Sequence, residues 1–135
     1  MSRFPTVGHL ISWAGLRPRQ DQSAGKKRST RIKQGAPWLK TTLVQAAWAA
    51  VRKKGSYYRS LYNSVKNRRG SKAKAIIAVA ASMLTAIYYM LKCQERYKDL
   101  GAQYRDHRDK TRTAACLIRR VQSLGFKVQS AKEAA

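Results

Sequence analysis

Apolar residues recur at helical spacing in five separated stretches of this chain, with glycine and basic clusters between them. Val7, Leu10, Ile11, Trp13 and Ala14 share one face of a helix over 6–16, which Gly15-Leu16-Arg17-Pro18 brings to a close. A second helix opens at Pro37, since the first helical position needs no amide donor. It carries Leu39, Leu43, Val44, Ala46, Ala47, Trp48 and Val51, and ends in Arg52-Lys53-Lys54-Gly55. Cations there complement the negative end of the helix dipole. A third, Tyr57 to Arg68, aligns Tyr58, Leu61, Tyr62 and Val65 and closes on Lys66, Arg68, Arg69 and Gly70. The last shows Ala114, Ala115, Leu117, Ile118, Val121 and Leu124, with Gly125 where a left-handed cap is needed.

The fourth stretch, Ala75 to Leu91, runs seventeen residues without a charge, the lower edge of a membrane span. Five alanines, Ser82 and Thr85 dilute its hydrophobicity, and Lys72, Lys74 and Lys92 flank it. It reads as the central helix of a bundle, apolar all round because it is surrounded. The pattern as a whole predicts an all-α, single compact domain of about four or five helices. A long basic loop over 19–35 precedes a helical bundle over 36–125, and the chain closes in a short extended C-terminal tail.

Charge sharpens the picture. Across 135 residues there are 29 Lys and Arg against 6 Asp and Glu, a formal net charge of +23. Such a surplus repels itself in a compact state and calls for a polyanion. Nucleic acid is the commonest, because each phosphate contact releases condensed counterions. Three clusters supply the contacts: Lys26, Lys27, Arg28, Arg31 and Lys33; then Arg52, Lys53 and Lys54; then Lys66, Arg68 and Arg69. Tyr57, Tyr58 and Tyr62 lie among them as stacking positions or, the better reading, as packing residues.

The carboxylates exclude a metal-dependent active site within this chain. Asp21 stands alone and Glu133 lies in the tail, while Glu95, Asp99, Asp106 and Asp109 alternate with Arg96, Lys98, Arg105, Arg108 and Lys110. Local charge pairing accounts for those four; two-metal chemistry wants convergent carboxylates with few competing cations. Cys93 and Cys116 form no C-x-x-C and no Cys/His cluster, so they read as buried free thiols of a cytoplasmic protein. The N-terminus, with Arg3, Pro5 and Gly8, lacks the apolar core of a signal peptide.

One residue invites covalent chemistry. Ser23, in Gln22-Ser23-Ala24-Gly25-Lys26-Lys27-Arg28, has a flexible backbone and cations beside it. A serine nucleophile on a phosphodiester needs both, for close approach and for the charge that builds in the transition state. A serine next to glycine is also an ordinary turn residue.

The order of motifs adds to this. Phe4-Pro5-Thr6, His9-Leu10, Ser12-Trp13-Ala14-Gly15-Leu16 and Pro18 are followed by Ser23-Ala24-Gly25-Lys26, Gly35, Trp38-Leu39 and Ala46-Ala47-Trp48. Tyr97, Asp99-Leu100-Gly101, Tyr104 and Leu124-Gly125-Phe126 complete the succession. It resembles the C-terminal domain of the insertion-sequence one-ten family of transposases, which includes bridge-RNA-guided recombinases. The resemblance covers 1–130, leaving 131–135 as a tail. It implies DNA as partner, a guide RNA, a homo-oligomer in the full-length protein and no membrane, in the bacterial cytoplasm near the nucleoid. It maps the nucleophile to Ser23, with Ser29 second, and gives Gly25, Gly35, Trp13 and Trp48 structural roles. Magnesium is expected only in an N-terminal RuvC-like domain with a DEDD set of carboxylates. That domain and its glycine-rich connector are not in this sequence, so the expectation is a truncated chain that binds DNA and does not transpose alone. The competing readings are a non-catalytic basic nucleic-acid-binding protein and a membrane-associated protein resting on Ala75 to Leu91.

Overall fold

A computed structural model of the chain describes residues 3–19, 21–29, 31–108 and 110–127. In chain order the elements are α1 (Val7–Trp13), β1 (Asp21–Ser23), β2 (Lys26–Ser29), α2 (Pro37–Arg52), α3 (Tyr57–Arg69), α4 (Lys72–Cys93), α5 (Tyr104–Arg108) and α6 (Lys110–Ser123). The all-α expectation holds, with one two-stranded hairpin added to it. Two units divide the chain, Met1–Ala102 and Gln103–Ala135.

In the first unit α4 packs against α1, α2 and α3. Its buried residues are Ala75, Ile76, Val79, Ala80, Leu84 and Tyr88, a single stripe at helical spacing. Leu10, Ala14, Leu16, Leu43, Ala47, Tyr62 and Val65 close over that stripe. A fully buried aliphatic side chain contributes about 1.5–3 kcal/mol, so this row is the main adhesive of the bundle. The expectation that α4 is enclosed on all sides is corrected: Ile87, Tyr89 and Leu91 are exposed. Three helices cover only part of a cylinder, and the far side of α4 meets none of them. By length and composition α4 is long and apolar enough to cross a membrane.

Helix ends follow their sequence signals. α1 stops in a Schellman motif: Leu16 N donates to Ile11 O at 3.1 Å and Gly15 N to Ser12 O at 3.1 Å, with Gly15 at φ +71°. Leu16, just beyond, is buried. Pro37 opens α2 as expected. Ser56 caps α3, its hydroxyl accepting from Arg59 N at 3.2 Å and donating to Lys53 O at 3.1 Å. It is 3% exposed, so these bonds satisfy a group that would otherwise be costly to bury. Tyr88 Oη lies 3.1 Å from the carbonyls of Phe4 and Pro5 and donates there, tying the segment before α1 to α4.

α2 and α3 are joined by four residues and run antiparallel, with the Trp48 and Tyr62 rings 6.1 Å apart. The start of α2, the end of α3 and the start of α4 therefore share one end of the bundle. In the second unit α6 ends in another Schellman motif, Phe126 N to Val121 O at 3.3 Å with Gly125 at φ +88°. Val128 and the residues after it, including Glu133, lie outside the described residues.

Candidate nucleic-acid interface

Residues 19–35, expected as a loop, contain the β-hairpin. Its register pairs Asp21 with Ser29, Gln22 with Lys27 and Ser23 with Lys26, the irregularity between Asp21 and Gln22 leaving Arg28 as the extra residue of a bulge. Ala24 and Gly25 form the turn at φ +48° and +75°. Two successive positive φ values make a type I′ turn, whose twist matches the flanking strands, and this converts a polar, glycine-containing stretch into a paired ribbon.

Ser23 therefore stands at the last paired position before the turn, exposed, directly across from exposed Lys26. Residues facing each other in an antiparallel pair project to the same face, with Cβ atoms about 4.5–5.5 Å apart. The candidate nucleophile and one candidate cation are thus brought together. Ser29 is half-buried, and its hydroxyl accepts from Arg31 N at 3.2 Å. Lys27 and Arg28 belong to β2; their side chains lie outside the described residues.

The base of the ribbon is anchored. Pro18 bridges Ile32, Arg19 N donates to Arg31 O at 3.0 Å, and Ala36 N donates to Trp13 O at 3.3 Å. One residue to either side of the Pro18–Ile32 bridge, Arg17 stands against Lys33 and Arg19 against Arg31. An open cleft of about 270 Å³ is lined there by Ser12, Arg17, Pro18, Arg19 and Lys33. The sequence reading missed Arg17 and Arg19. The signal was their alternation around Pro18, which in extended backbone puts both on one side.

The three basic clusters do not form one surface. Because α2 and α3 are antiparallel, the hairpin base beside Ala36 and the corner of Lys66, Arg68, Arg69, Lys72 and Lys74 lie at the same end of the bundle. Arg52, Lys53 and Lys54 lie at the other, about 24 Å away along the sixteen residues of α2. All but Lys66, which is half-buried, are exposed. The Arg52–Lys54 corner is partly occupied by protein groups: Arg59 Nη1 donates to Arg52 O at 3.3 Å, and Lys53 Nζ stands 4.0 Å from Asp99 Oδ2.

The tyrosines are packing residues. Tyr62 is buried, and Tyr58 stacks on Tyr97 with centroids 6.1 Å apart and an interplanar angle of 10°. Burial, helped by a hydrogen bond with Tyr97, pushes the Tyr58 phenol well above its ordinary range. Trp38, in the first turn of α2, is 67% exposed. Trp13, also exposed, packs on Phe4 with ring centroids 5.5 Å apart.

Asp99 departs from the local charge pairing read from sequence. Its Oδ1 accepts from Tyr57 N at 3.2 Å and Gly101 N at 3.1 Å, capping a helix 42 residues away. A carboxylate at a helix N-terminus suits the dipole, and backbone donors hold it better than an exposed lysine does. The side chain of Asp106, and Asp109 altogether, lie outside the described residues. Among the described residues no three His, Cys, Asp or Glu gather where they could hold a metal ion. Cys93 and Cys116 are exposed free thiols rather than buried ones, Cys93 ending α4 beyond its buried stripe and Cys116 on a helix with no buried residue.

No curated protein and no solved structure matches the chain. Residues 1–63 match the model of the transposase IS116/IS110/IS902 family. The match runs through α1, the hairpin, α2 and the first half of α3, the elements that build and anchor the Ser23 turn. Over those residues, just under half of its length, the chain is similar to the transposase IS116/IS110/IS902 family.

Proposed function

We propose that this chain is the serine-carrying, DNA-binding part of a transposase of that family, with Ser23 as the nucleophile. The observation that carries the reading is the exposure of Ser23 beside Lys26 at the tip of a hairpin whose base is pinned to α1 and α2. An exposed tip reaches a DNA strand, and a pinned base holds its reach constant.

In the step proposed, Ser23 Oγ attacks the phosphorus of a DNA phosphodiester. An Oγ–P bond forms, the P–O bond to one sugar breaks, and the hydroxyl proton leaves Oγ while the departing sugar oxygen gains one. The phosphoserine ester retains the energy of the broken bond, so attack by a new sugar hydroxyl rejoins DNA without an external energy source. Lys26 stabilises the charge that builds on the phosphate oxygens. By the resemblance the magnesium carboxylates belong to a RuvC-like domain. The chain alone is expected to bind DNA without cutting it. A guide RNA and a homo-oligomeric whole protein are part of the same proposal.

Binding is tested by titrating the chain with a fluorescent duplex at several salt concentrations. Steep weakening with salt, with slope about −0.9 per phosphate neutralised, is expected. An absence of binding at low salt would overturn the DNA-binding reading.

A further inference from the structure

We propose that Ser12, Arg17, Arg19 and Lys33 form a receptor for a single DNA phosphodiester group, set back from the hairpin tip. The inference rests on the DNA-binding reading above and adds to it an anchoring site distinct from Ser23.

Three cations line one cleft of about 270 Å³, and no carboxylate is among its lining residues. The chain has spent backbone geometry to create this. Arg17 against Lys33 and Arg19 against Arg31 are like-charge pairs across an antiparallel bridge, an arrangement that destabilises a ribbon left to itself. A bound phosphate reverses the sign, because each cation then faces an anion. Arginine supplies a planar pair of donors matched to phosphate oxygens, and lysine adds a point charge. Ser12, half-buried on α1, adds a hydroxyl donor.

The cleft is also rigidly framed. The Gly15–Gly35 contact and the Ala36 N to Trp13 O bond fix the wall carrying Ser12 against the segment carrying Lys33. The Arg17 guanidinium reaches back over α1, its Nη1 near where a Cβ on Gly8 would lie, 3.9 Å away. Ser23 lies five positions after Pro18, a reach of at most about 18 Å. On a duplex that spans at most about five base steps of roughly 3.4 Å. A phosphate held at the hairpin base therefore sets which phosphodiester, a few nucleotides along, meets the serine.

The test measures duplex affinity against salt for the full chain and for Arg17→Gln, Arg19→Gln, Lys33→Gln and the triple variant. Circular dichroism and thermal melting confirm that each remains folded, and Arg17→Lys supplies a variant that keeps the charge. Because the three share one phosphate, each single change is expected to weaken binding about 10- to 100-fold at moderate salt. The triple variant should lose little more than the worst single one, and its salt slope should fall by about 1. A slope lower by about 2.7 would mean three separate phosphates on an open face and would overturn the shared receptor. Unchanged affinity and slope in the triple variant, with wild type still binding, would overturn the receptor while leaving the DNA-binding reading standing. Failure of the wild type itself would remove both. Loss seen with an RNA of the same sequence but not with DNA would overturn the assignment to DNA.

Discussion

Gly15 and Gly35 lie backbone to backbone. A Cβ on Gly15 would stand 2.8 Å from Gly35 N and from Lys33 O, and one on Gly35 would stand 2.6 Å from Gly15 Cα. Real side chains do not tolerate such distances, and here the neighbours are main chain that cannot swing aside. This contact lets the end of α1 touch the segment that leads from the ribbon into α2, and so fixes the base from which Ser23 projects.

Gly35→Ala is accordingly expected to destabilise the first unit by about 1–3 kcal/mol, as a steric clash that the backbone must absorb. Gly25→Ala should cost no more than about 1–2 kcal/mol, for a left-handed residue alone, since nothing lies within 4 Å of its Cβ position. Thermal unfolding of the two variants checks the order. Equal losses would show that the Gly15–Gly35 contact is not a special constraint.

The one-sided burial of α4 can be tested by paired truncations. Leu84 is 3% exposed in the core stripe, whereas Leu91 is 54% exposed. Leu84→Ala should cost about 2–5 kcal/mol in a denaturant titration. Leu91→Ala should stay within about 0.5 kcal/mol of wild type.

Tyr58 gives an alkaline signature. Its phenol is raised above the ordinary value of 10.0, chiefly by burial and then by its hydrogen bond with Tyr97. Above pH 10 the unfolded chain loses the Tyr58 proton while the folded chain keeps it. The folded state then binds more protons, so stability falls as pH rises from about 10 until the folded phenol itself titrates. Below that window the contribution is fully present. Spectrophotometric titration should show a late-ionising tyrosine that Tyr58→Phe removes, along with part of the alkaline loss of stability. A late phase that persists in Tyr58→Phe would belong to another residue.

Five of the six described helices were legible because their signals are local; α5, one short turn-and-a-half in a charged stretch, had no apolar spacing to mark it. Proline opens α2, Gly15 and Gly125 end α1 and α6, and apolar spacing marks each buried face. The hairpin was not legible, because Ser23-Ala24-Gly25-Lys26 lacks the usual Asn-Gly pair and its strands, Asp-Gln-Ser and Lys-Lys-Arg-Ser, have no apolar alternation. Its stability comes from the Pro18–Ile32 bridge and the Gly15–Gly35 contact, both tertiary. The Asp99 cap escaped for the same reason, since it joins positions 42 residues apart. The outer face of α4 was misread because composition reports how apolar a helix is, not how many neighbours it meets. Of the candidate site, the serine and its cations were visible as residue types; Arg17 and Arg19 emerged only once the fold set them at the base of the ribbon.

The most direct test asks whether Ser23 becomes covalently joined to DNA. The chain, supplied with a RuvC-like domain of the same family or carried within a full-length transposase, is incubated with a substrate DNA and separated under denaturing conditions. The expected result is a protein–DNA adduct that survives denaturation, maps to the peptide containing Ser23, and is lost in Ser23→Ala but kept in Ser29→Ala. An adduct that persists undiminished in Ser23→Ala would contradict the assignment of the nucleophile.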